Sequence, residues 1–269
     1  SDMQRALRAA HSGLYLSSQT LSIGLVGAGS VGTEFLRQLD SQLSRLKQDF
    51  DVDLRVRAIA TSKRMLLSDR PIDLGHWTRA LETNGEPVDL ERLAAHVHAE
   101  HLPHAALVDC TASDDVARQY DSWLARGIHV ITPNKRANAS DIDYYRRLRR
   151  SNRAVSAHYL YETTVGAALP IIQTLRDLVQ TGDEISEIEG ILSGTLSFLF
   201  NSFDGSRPFS ALVEQARSLG YTEPDPRDDL SGMDVARKMT ILAREIGLSL
   251  ELRDVDLHSL VPEALQRGT

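Results

Sequence analysis

The chain has 269 residues, of which 42% are hydrophobic and 25% charged, and its formal net charge is −7 at pH 7. These values are typical of a soluble globular protein of one or two domains, and they argue against a nucleic-acid-binding chain, which would carry a strong basic excess. No hydrophobic run approaches the ~20 residues that a membrane-spanning helix needs. Cys110 is the single cysteine, so we expect no internal disulfide and a cytoplasmic or other reducing compartment.

The first half of the chain predicts an alternation of strands and helices. Residues 1–19 combine a short amphipathic stretch with a polar tail and predict a linker or lead-in helix. Apolar strands are then predicted at 21–26, 54–59, 105–108 and 128–131. The first strand leads into apolar residues at helical spacing over 31–46. This pattern predicts an α/β fold, with a Rossmann-like, doubly wound parallel sheet in a first domain at 20–153.

The pattern changes after residue 153. Two strands are predicted there, at 154–160 and 184–192, together with helices at 165–180, 208–219 and 230–247. The mixture predicts a second, α+β domain over residues 154–269.

A glycine-rich turn joins the first predicted strand to the first predicted helix. Its residues are Gly27, Ala28, Gly29, Ser30, Val31 and Gly32. In this context the first glycine allows a tight turn, the second lets a pyrophosphate approach the backbone, and the third lets the helix pack closely on the strand. The free N–H groups of the helix terminus favour an anion. The turn therefore predicts a dinucleotide-binding site, although such a pattern alone also occurs in purely structural turns.

The end of the second predicted strand bears on which dinucleotide is bound. An NAD-binding domain usually places an acid there for the ribose 2′-hydroxyl, whereas this strand ends in Thr61-Ser62-Lys63-Arg64. Hydroxyls and cations suit a 2′-phosphate, so NADP is favoured and NAD stays possible. Lys63 and Arg64 could equally be solvent-exposed loop charges.

An acidic segment over residues 220–238 carries the second candidate site. Two prolines and several carboxylates precede a helix in which Asp234 and Lys238 are four residues apart, and therefore on one face. A lysine held by a carboxylate can donate a proton or stabilise an alkoxide. Residue chemistry alone leaves a surface ion pair and a catalytic pair both open.

Six segments resemble, in order and spacing, the homoserine dehydrogenase family. They are GAGSVG (27–32), DCTAS (109–113), GIHVITPNK (127–135), YETTVGAALPII (161–172), TGDEISEIEGILSGTLSF (181–198) and GYTEPDPRDDLSGMDVARK (220–238). The resemblance covers about residues 20–262, and its last segment is the most specific. AAHSGLYLSSQTLSIGLVG and DLRVRAIATSKRMLL are more similar to the dehydrogenase part of bifunctional aspartokinase/homoserine dehydrogenases. This similarity implies that residues 1–19 connect to an aspartokinase portion.

The resemblance implies interconversion of aspartate 4-semialdehyde and homoserine, a step of threonine and methionine biosynthesis, with a nicotinamide dinucleotide. It implies that Lys238 is the proton donor and that Asp234 is its catalytic partner. The implied substrate-binding residues are Glu223, Asp229, Lys135 and Thr195, and Lys135 and Thr111 are implied cofactor contacts. The implied ligands of a sodium-type ion are backbone oxygens of Glu162, Val165, Ala167 and Leu169. A homodimer through the second domain is also implied.

At its end the sequence departs from the pattern of the family. The family chain returns to the cofactor domain through a further glycine-rich segment, whereas this sequence stops at Thr269. The enclosure of the nicotinamide and the activity of this chain therefore stay open. Two alternatives are a dehydrogenase of a related amino-acid semialdehyde and a dinucleotide-binding module that is inactive through truncation.

Two further clusters invite a functional interpretation that their spacing does not favour. Four histidines, at positions 96, 98, 101 and 104, match none of the common zinc patterns. A basic run over 146–150 falls at the end of a predicted helix, where cations favour the helix dipole. We expect neither a zinc site nor a nucleic-acid site.

Overall fold

The computed structural model describes residues 19–99, 101–154, 157–222, 225–262 and 265, so the predicted linker 1–19 lies almost wholly outside the described residues. The described strands are β1 (Thr20–Val26), β2 (Asp53–Ala60), β3 (Arg64–Leu67), β4 (Glu86–Pro87), β5 (His104–Asp109), β6 (His129–Ile131) and β7 (Tyr159–Leu160). Searched over the same ranges, the helices include none that is long and apolar enough to cross a membrane.

The described α-helices run through both halves of the chain. They are α1 (Ser30–Phe50), α2 (Trp77–Asn84), α3 (Leu90–Val97), α4 (Asp114–Ala117), α5 (Tyr120–Ala125), α6 (Ile142–Ala154), α7 (Ile171–Gln180), α8 (Gly194–Ser202), α9 (Phe209–Ser218), α10 (Pro226–Leu230) and α11 (Met233–Glu245). Two short 3-10 helices cover Glu162–Thr164 and Leu252–Asp254.

The strands form one sheet in the order β4-β3-β2-β1-β5-β6-β7. The five strands from β2 to β7 in that order pair in parallel, whereas β3 and β4 pair antiparallel at one edge. The order reverses direction at β1, because the chain continues to one side through β2 and returns to the other side through β5. The predicted Rossmann-like parallel sheet is therefore confirmed, with an antiparallel edge that the sequence pattern did not predict.

The chain divides into two compact units, each of which is described by itself. The first comprises residues 1–137 and 146–161, and the second comprises 138–145 and 162–269. Segment 138–145 packs within the second unit because of Arg244, a fully buried side chain of α11. Its guanidinium donates to the carbonyl oxygens of Asn138 at 2.7 Å and Leu250 at 2.9 Å, and it pairs with Glu251 at 3.2 Å.

The core of the first unit lies between the sheet and α1. Leu36 and Leu39 of α1 are buried together with Leu25 of β1 and Ile59 of β2. Each buried leucine or isoleucine contributes about 1.5–3 kcal/mol by leaving water. Trp77 of α2 closes the same cluster on the side of β3. This packing fixes the start of α1 against the end of β1, where the glycine turn lies.

Two strand predictions in the second half of the chain need correction. Of the strand expected at 154–160, Tyr159–Leu160 form a strand in the sheet of the first unit, and residues 155–156 lie outside the described residues. Residues 184–192 form no strand, because a strand needs a hydrogen-bonded neighbour and the described residues of the second unit offer none. The described part of this unit is therefore helical.

The helix expected over 165–180 begins at Ile171, and the reason lies in the preceding loop. Gly166 and Ala167 both adopt positive φ angles, of 78° and 52°, which a right-handed helix excludes. Pro170 then occupies the N-cap. The first turn is completed by Glu162, whose carboxylate accepts the backbone N–H groups of Ile172 and Gln173, each at 2.9 Å.

Candidate active site

The glycine turn between β1 and α1 is tied to the end of β2. The backbone N–H groups of Gly27 and Ala28 both donate to the carbonyl oxygen of Ala60, at 2.8 and 3.1 Å. Gly27 has a φ of +92°, a conformation that favours glycine. A Cβ at this position would lie 2.6 Å from Cγ2 of Thr111, so the loop after β5 packs directly against the turn.

The other two glycines serve different purposes. A Cβ on Gly32 would overlap the carbonyl oxygen of Gly27, so this glycine lets α1 pack on the strand, as predicted. A Cβ on Gly29 would meet no heavy atom within 4 Å among the described residues, so its surroundings are open. Gly29 is the N-cap of α1, and none of the described side chains caps this terminus. The first N–H groups of a helix lack intrahelical acceptors, so the open space is suited to a phosphate.

The cations predicted to meet a 2′-phosphate differ in their surroundings. The hydroxyl of Thr61 accepts the N–H groups of Lys63 and Arg64 and closes a tight turn. The guanidinium of Arg64 donates to the carbonyl oxygens of Glu82, at 3.0 Å, and Gly85. Lys63 is exposed in the same turn. Of the two cations, Lys63 is thus the one whose side chain can more readily turn toward an anion.

Thr111 and Lys135 lie on loops that follow β5 and β6. These strands are parallel to each other and to β1, so both loops and the glycine turn lie at the carboxyl ends of the strands. Lys135 is half-buried. Cys110 directly follows β5, and there burial and the charge of Asp109 raise the pKa of its thiol to about 11. This thiol therefore stays protonated at neutral pH and is not a candidate nucleophile.

The predicted lysine–carboxylate pair of the second unit is formed. Nζ of Lys238 lies 2.7 Å from Oδ2 of Asp234, and the two side chains are 16% and 42% exposed. The ammonium also donates to the carbonyl oxygen of Leu192 at 2.6 Å, a contact that the sequence did not indicate. Leu192 directly precedes Ser193, whose hydroxyl caps α8. The pair is therefore attached to the start of α8.

A second acid is attached to the same helix start. The hydroxyl of Thr195 lies 3.0 Å from Oδ1 of Asp229 and 2.6 Å from the carbonyl oxygen of Tyr221. The structure thus brings together two pairs of the predicted residues, Asp234 with Lys238 and Thr195 with Asp229, at one end of α8. Glu223 lies outside the described residues.

The predicted cation ligands lie in the loop that precedes α7. The positive φ angles of Gly166 and Ala167 turn the chain sharply between the four residues concerned. The carbonyl oxygen of Glu162 accepts from the N–H of Val165 at 3.4 Å, and that of Leu169 accepts from Ile171 at 2.9 Å. A carbonyl oxygen has two lone pairs, so each of these two oxygens can still bind a cation through its second lone pair.

Histidines occur in a different cluster from the one considered in the sequence. Nε2 of His96 lies 2.9 Å from the carbonyl oxygen of Ser68, so this ring is held by the backbone. The rings of His104, His129 and His158 follow one another at the amino ends of β5, β6 and β7, with centroids 6.3 and 5.1 Å apart. Among the described residues, no group of three or more His, Cys, Asp or Glu side chains is arranged to hold a metal ion.

The parallel sheet, the glycine turn and the uncapped start of α1 define the first unit as an α/β dinucleotide-binding domain. A family model for the NAD binding domain of homoserine dehydrogenase matches residues 27–162, and the homoserine dehydrogenase model matches residues 170–267. The chain belongs to the homoserine dehydrogenase family.

Relatives of this chain include both fused and separate proteins. The chain is 55% identical, over its whole length, to the bifunctional aspartokinase/homoserine dehydrogenase 1, chloroplastic, of Zea mays, of which it spans 29%. A crystal structure of a Candida auris protein of unknown function is 37% identical, with a TM-score of 0.80 over 93% of this chain and 70% of that one. A hyperthermophilic archaeal homoserine dehydrogenase in complex with NADPH is 25% identical, with a TM-score of 0.68 over 84% and 69% of the two chains.

Proposed function

We propose that this chain interconverts L-aspartate 4-semialdehyde and L-homoserine with a nicotinamide dinucleotide, as a step of aspartate-family amino-acid biosynthesis. The observation that carries the proposal is the Lys238–Asp234 pair, which is bound to the start of α8 in a chain that also carries the glycine turn. Both family models support the assignment.

The open space around Gly29 fits the phosphates of such a cofactor, because a Cβ would occupy that space. When it is bound, the nicotinamide would supply or accept the hydride. The chain would bind the pyrophosphate through the N–H groups at the start of α1 and contact the cofactor through Thr111 and Lys135. Its residues then orient the reactants and exclude water, rather than perform the redox chemistry.

Lys238 has the donors that this reaction requires. An ammonium has three N–H groups, and the described contacts use one for Asp234 and one for the Leu192 carbonyl oxygen. The third can point to the substrate oxygen. Aldehyde reduction places negative charge on that oxygen, so an ammonium there stabilises the transition state more than the ground state and supplies the proton that completes the alcohol.

The substrate's own ammonium group requires carboxylates. We assign this role to Asp229 and Glu223. The Thr195 hydroxyl lies 3.0 Å from Oδ1 of Asp229 and supports its orientation. Lys135 would contact both the cofactor and the substrate, as the resemblance implies.

We propose a preference for NADP over NAD. β2 ends without an acid, and exposed Lys63 follows in the turn 61–64. The 2′-phosphate of NADP would pair with this ammonium, whereas an acid at the strand end would repel it. The NADPH complex of the archaeal relative is in keeping with this preference.

We also propose a monovalent cation such as sodium at the loop before α7. Its ligands would be backbone oxygens of Glu162, Val165, Ala167 and Leu169. The sharp turn at Gly166 and Ala167 supports this proposal, because it changes the direction of successive carbonyl groups. Sodium-like ions favour oxygen ligands, and backbone oxygens supply them without added charge.

The larger assembly is proposed from relatives and from exposed surface. The similarity to bifunctional relatives supports an aspartokinase portion as a fused partner. A homodimer through the second domain is supported by the segment 184–192, where Ile191 is 76% exposed. The domain limits 20–153 and 154–269, and a reducing, cytoplasmic location, stay predictions; the maize relative is named chloroplastic.

The decisive experiment is a steady-state assay of homoserine oxidation with NADP and with NAD, in parallel with a panel of related amino-acid alcohols and of hydroxy acids that would be oxidised to keto acids. We expect turnover of homoserine at the highest kcat/KM and with NADP ahead of NAD. Higher kcat/KM with another substrate of the panel would assign a related dehydrogenase. Tight NADPH binding without any turnover would assign a dinucleotide-binding module instead.

A further inference from the structure

A fully buried carboxylate lies at the carboxyl ends of the parallel strands, where the glycine turn also lies. Asp109 is the last residue of β5, its side chain is shielded from water, and it pairs in register with Val26, which directly precedes Gly27. A buried carboxylate is strongly unfavourable unless hydrogen bonds replace its lost hydration. A hydrophobic residue of similar size would fill the same space at a lower cost. Packing alone therefore does not account for an acid here.

The hydrogen bonds of Asp109 come from both neighbouring loops. Oδ1 accepts the backbone N–H of Thr111 at 2.7 Å. Oδ2 accepts from Nδ2 of Asn134 at 3.0 Å and from the hydroxyl of Tyr120. These donors are a backbone amide, a side-chain amide and a phenol, all neutral. The carboxylate thus links the loop after β5 to the loop after β6.

Asn134 extends this link on both sides of Lys135. Its Nδ2 also donates to the carbonyl oxygen of Ser113 at 3.0 Å, and its Oδ1 accepts the N–H of Arg136 at 3.0 Å. The N–H of Asn134 itself donates to the hydroxyl oxygen of Thr132 at 2.8 Å. The backbone around Lys135 is therefore held by side chains on each side of the lysine.

Thr111 connects the network to the glycine turn. Its N–H donates to Asp109, and its methyl group lies 2.6 Å from the position that a Cβ on Gly27 would occupy. Movement of the Thr111 loop would press on the turn or open a gap beneath it. Three cofactor-facing segments therefore depend on one carboxylate: the turn, the Thr111 loop and the Lys135 loop.

Tyr120 is suited to remain a donor in this network. Burial, reinforced by the charge of Asp109, raises the pKa of its hydroxyl well above the usual value. The phenol therefore stays protonated at neutral pH, and its proton is available to the carboxylate oxygen.

We infer that Asp109 is a positioning residue for the dinucleotide: its carboxylate holds the Thr111 and Lys135 loops against the glycine turn in the arrangement that binds the cofactor. The inference rests on the proposed dinucleotide site. The acid acts through the two loops and need not touch the cofactor. The carboxylate accepts from three donors at once. An asparagine at this position has the same shape but replaces one acceptor oxygen by a donor, so it should loosen both loops.

The test exchanges donor and acceptor within one pair. Asp109→Asn sets an amide N–H₂ against Nδ2 of Asn134, so two donors face each other. Asn134→Asp sets two carboxylates against each other. The double variant restores one donor facing one acceptor, with the direction of the bond reversed and the net charge of the pair unchanged. The measurement is the Kd of NADPH by fluorescence titration, with thermal unfolding recorded for each protein.

We expect each single variant to weaken NADPH binding about tenfold, as loss of a hydrogen bond to a charged group should. The double variant should bind NADPH about threefold more tightly than either single variant but not as tightly as the wild type, because the swap restores the bond between positions 109 and 134 and not those to the Ser113 carbonyl oxygen and from the Tyr120 hydroxyl. The matched control is Val97→Ala, which removes buried volume in α3 away from both loops. It should lower the unfolding temperature with less than a twofold change in Kd. Equal weakening by this control at the same loss of stability would overturn the positioning role.

Tyr120→Phe keeps the inference testable if Asp109→Asn does not fold. It removes one donor and keeps the carboxylate, and we expect about threefold weaker NADPH binding. With a wild type that binds NADPH, unchanged binding by Asp109→Asn, or by Tyr120→Phe where Asp109→Asn does not fold, would overturn the positioning role alone. A wild type that does not bind NADPH would contradict the proposed function and, with it, this inference.

Discussion

The ammonium of Lys238 donates to the carbonyl oxygen of Leu192 at 2.6 Å, across 46 residues of sequence. This bond and the ion pair to Asp234 fix two of the three N–H directions of the lysine. An arginine cannot reproduce them, because its planar guanidinium is larger and its donors are arranged as a fork. The ammonium is thus held by one charged and one neutral acceptor. The direction of its third N–H group follows from the tetrahedral geometry of the nitrogen.

Replacing Lys238 should separate chemistry from cofactor binding. We expect Lys238→Ala to lower kcat for reduction of aspartate 4-semialdehyde by about 10²–10⁴-fold, because it removes the proton donor, with the Kd of NADPH changed less than twofold. Lys238→Arg should stay at least tenfold below the wild type. Lys47→Ala, which removes an exposed lysine of α1, is the control and should keep full activity. Near-normal turnover by Lys238→Ala would show that another group supplies the proton.

Gly29 and Gly32 are three residues apart in the same turn and offer a matched pair of alanine substitutions. Gly29→Ala adds a methyl group in open space, so we expect an unchanged free energy of unfolding and NADPH binding weakened at least tenfold. Gly32→Ala forces a methyl group onto the carbonyl oxygen of Gly27, so we expect a loss of about 1–3 kcal/mol in the free energy of unfolding. Chemical denaturation and NADPH titration distinguish them. Strong NADPH binding by Gly29→Ala would place the phosphates elsewhere.

Lys63 and Arg64 should differ although they are neighbours. We expect Lys63→Ala to weaken NADPH roughly five- to tenfold and NADH hardly at all, since it removes a cation from the 2′-phosphate and nothing from the fold. Arg64→Ala leaves the carbonyl oxygens of Glu82 and Gly85 without this donor and should lower the free energy of unfolding by about 1–2 kcal/mol. Titrations with both cofactors and thermal unfolding are the measurements. Equal loss of NADH and NADPH affinity in Lys63→Ala would contradict the assignment.

His129 should make the first unit less stable in mild acid. Burial, followed by the neighbouring imidazoles of His158 and His104, lowers its pKa below the usual value of 6.5. The unfolded chain therefore takes up a proton near pH 6.5 that the folded chain takes up only at lower pH, so the free energy of unfolding falls as the pH drops below about 6.5. Protonation of Nδ1 would also remove the acceptor for the N–H of His158, now at 2.8 Å.

We expect His129→Asn to flatten this dependence between pH 7 and about pH 5, because its amide oxygen can still accept the same N–H without titrating. His258→Asn, at a position where the side chain is 89% exposed, is the control and should leave the pH profile unchanged. The profile is measured as the unfolding midpoint at successive pH values. An unchanged slope in His129→Asn would assign the acid sensitivity to other groups.

The sequence predicted those parts of the site that depend on local spacing. The glycine turn lies within six consecutive residues and the Asp234–Lys238 pair within one helix, so residue type and spacing were sufficient for both. The Rossmann-like sheet followed from alternating strands and helices. Strands β3 and β4 escaped prediction because they are short and are stabilised by antiparallel pairing, and their apolar run was too brief to distinguish from a loop.

Contacts to backbone oxygens were beyond sequence reasoning. The Leu192 carbonyl beside Lys238 and the carbonyls bound by Arg64 belong to residues whose side chains carry no trace of the contact. The failed strand at 184–192 has a related cause, since strand formation depends on a neighbour that the pattern of one segment does not reveal. Asp109 was part of a quoted motif, but its role depends on distant donors at Tyr120 and Asn134.

The carboxylate of Glu162 caps α7 while its carbonyl group belongs to the proposed cation loop. Ion occupancy and the integrity of that helix are then thermodynamically coupled: an ion that binds only the folded loop also holds the cap in place. Salt would therefore change the stability of α7 without contact with any reacting atom. Sodium bound at this loop would act as a stabiliser of that helix.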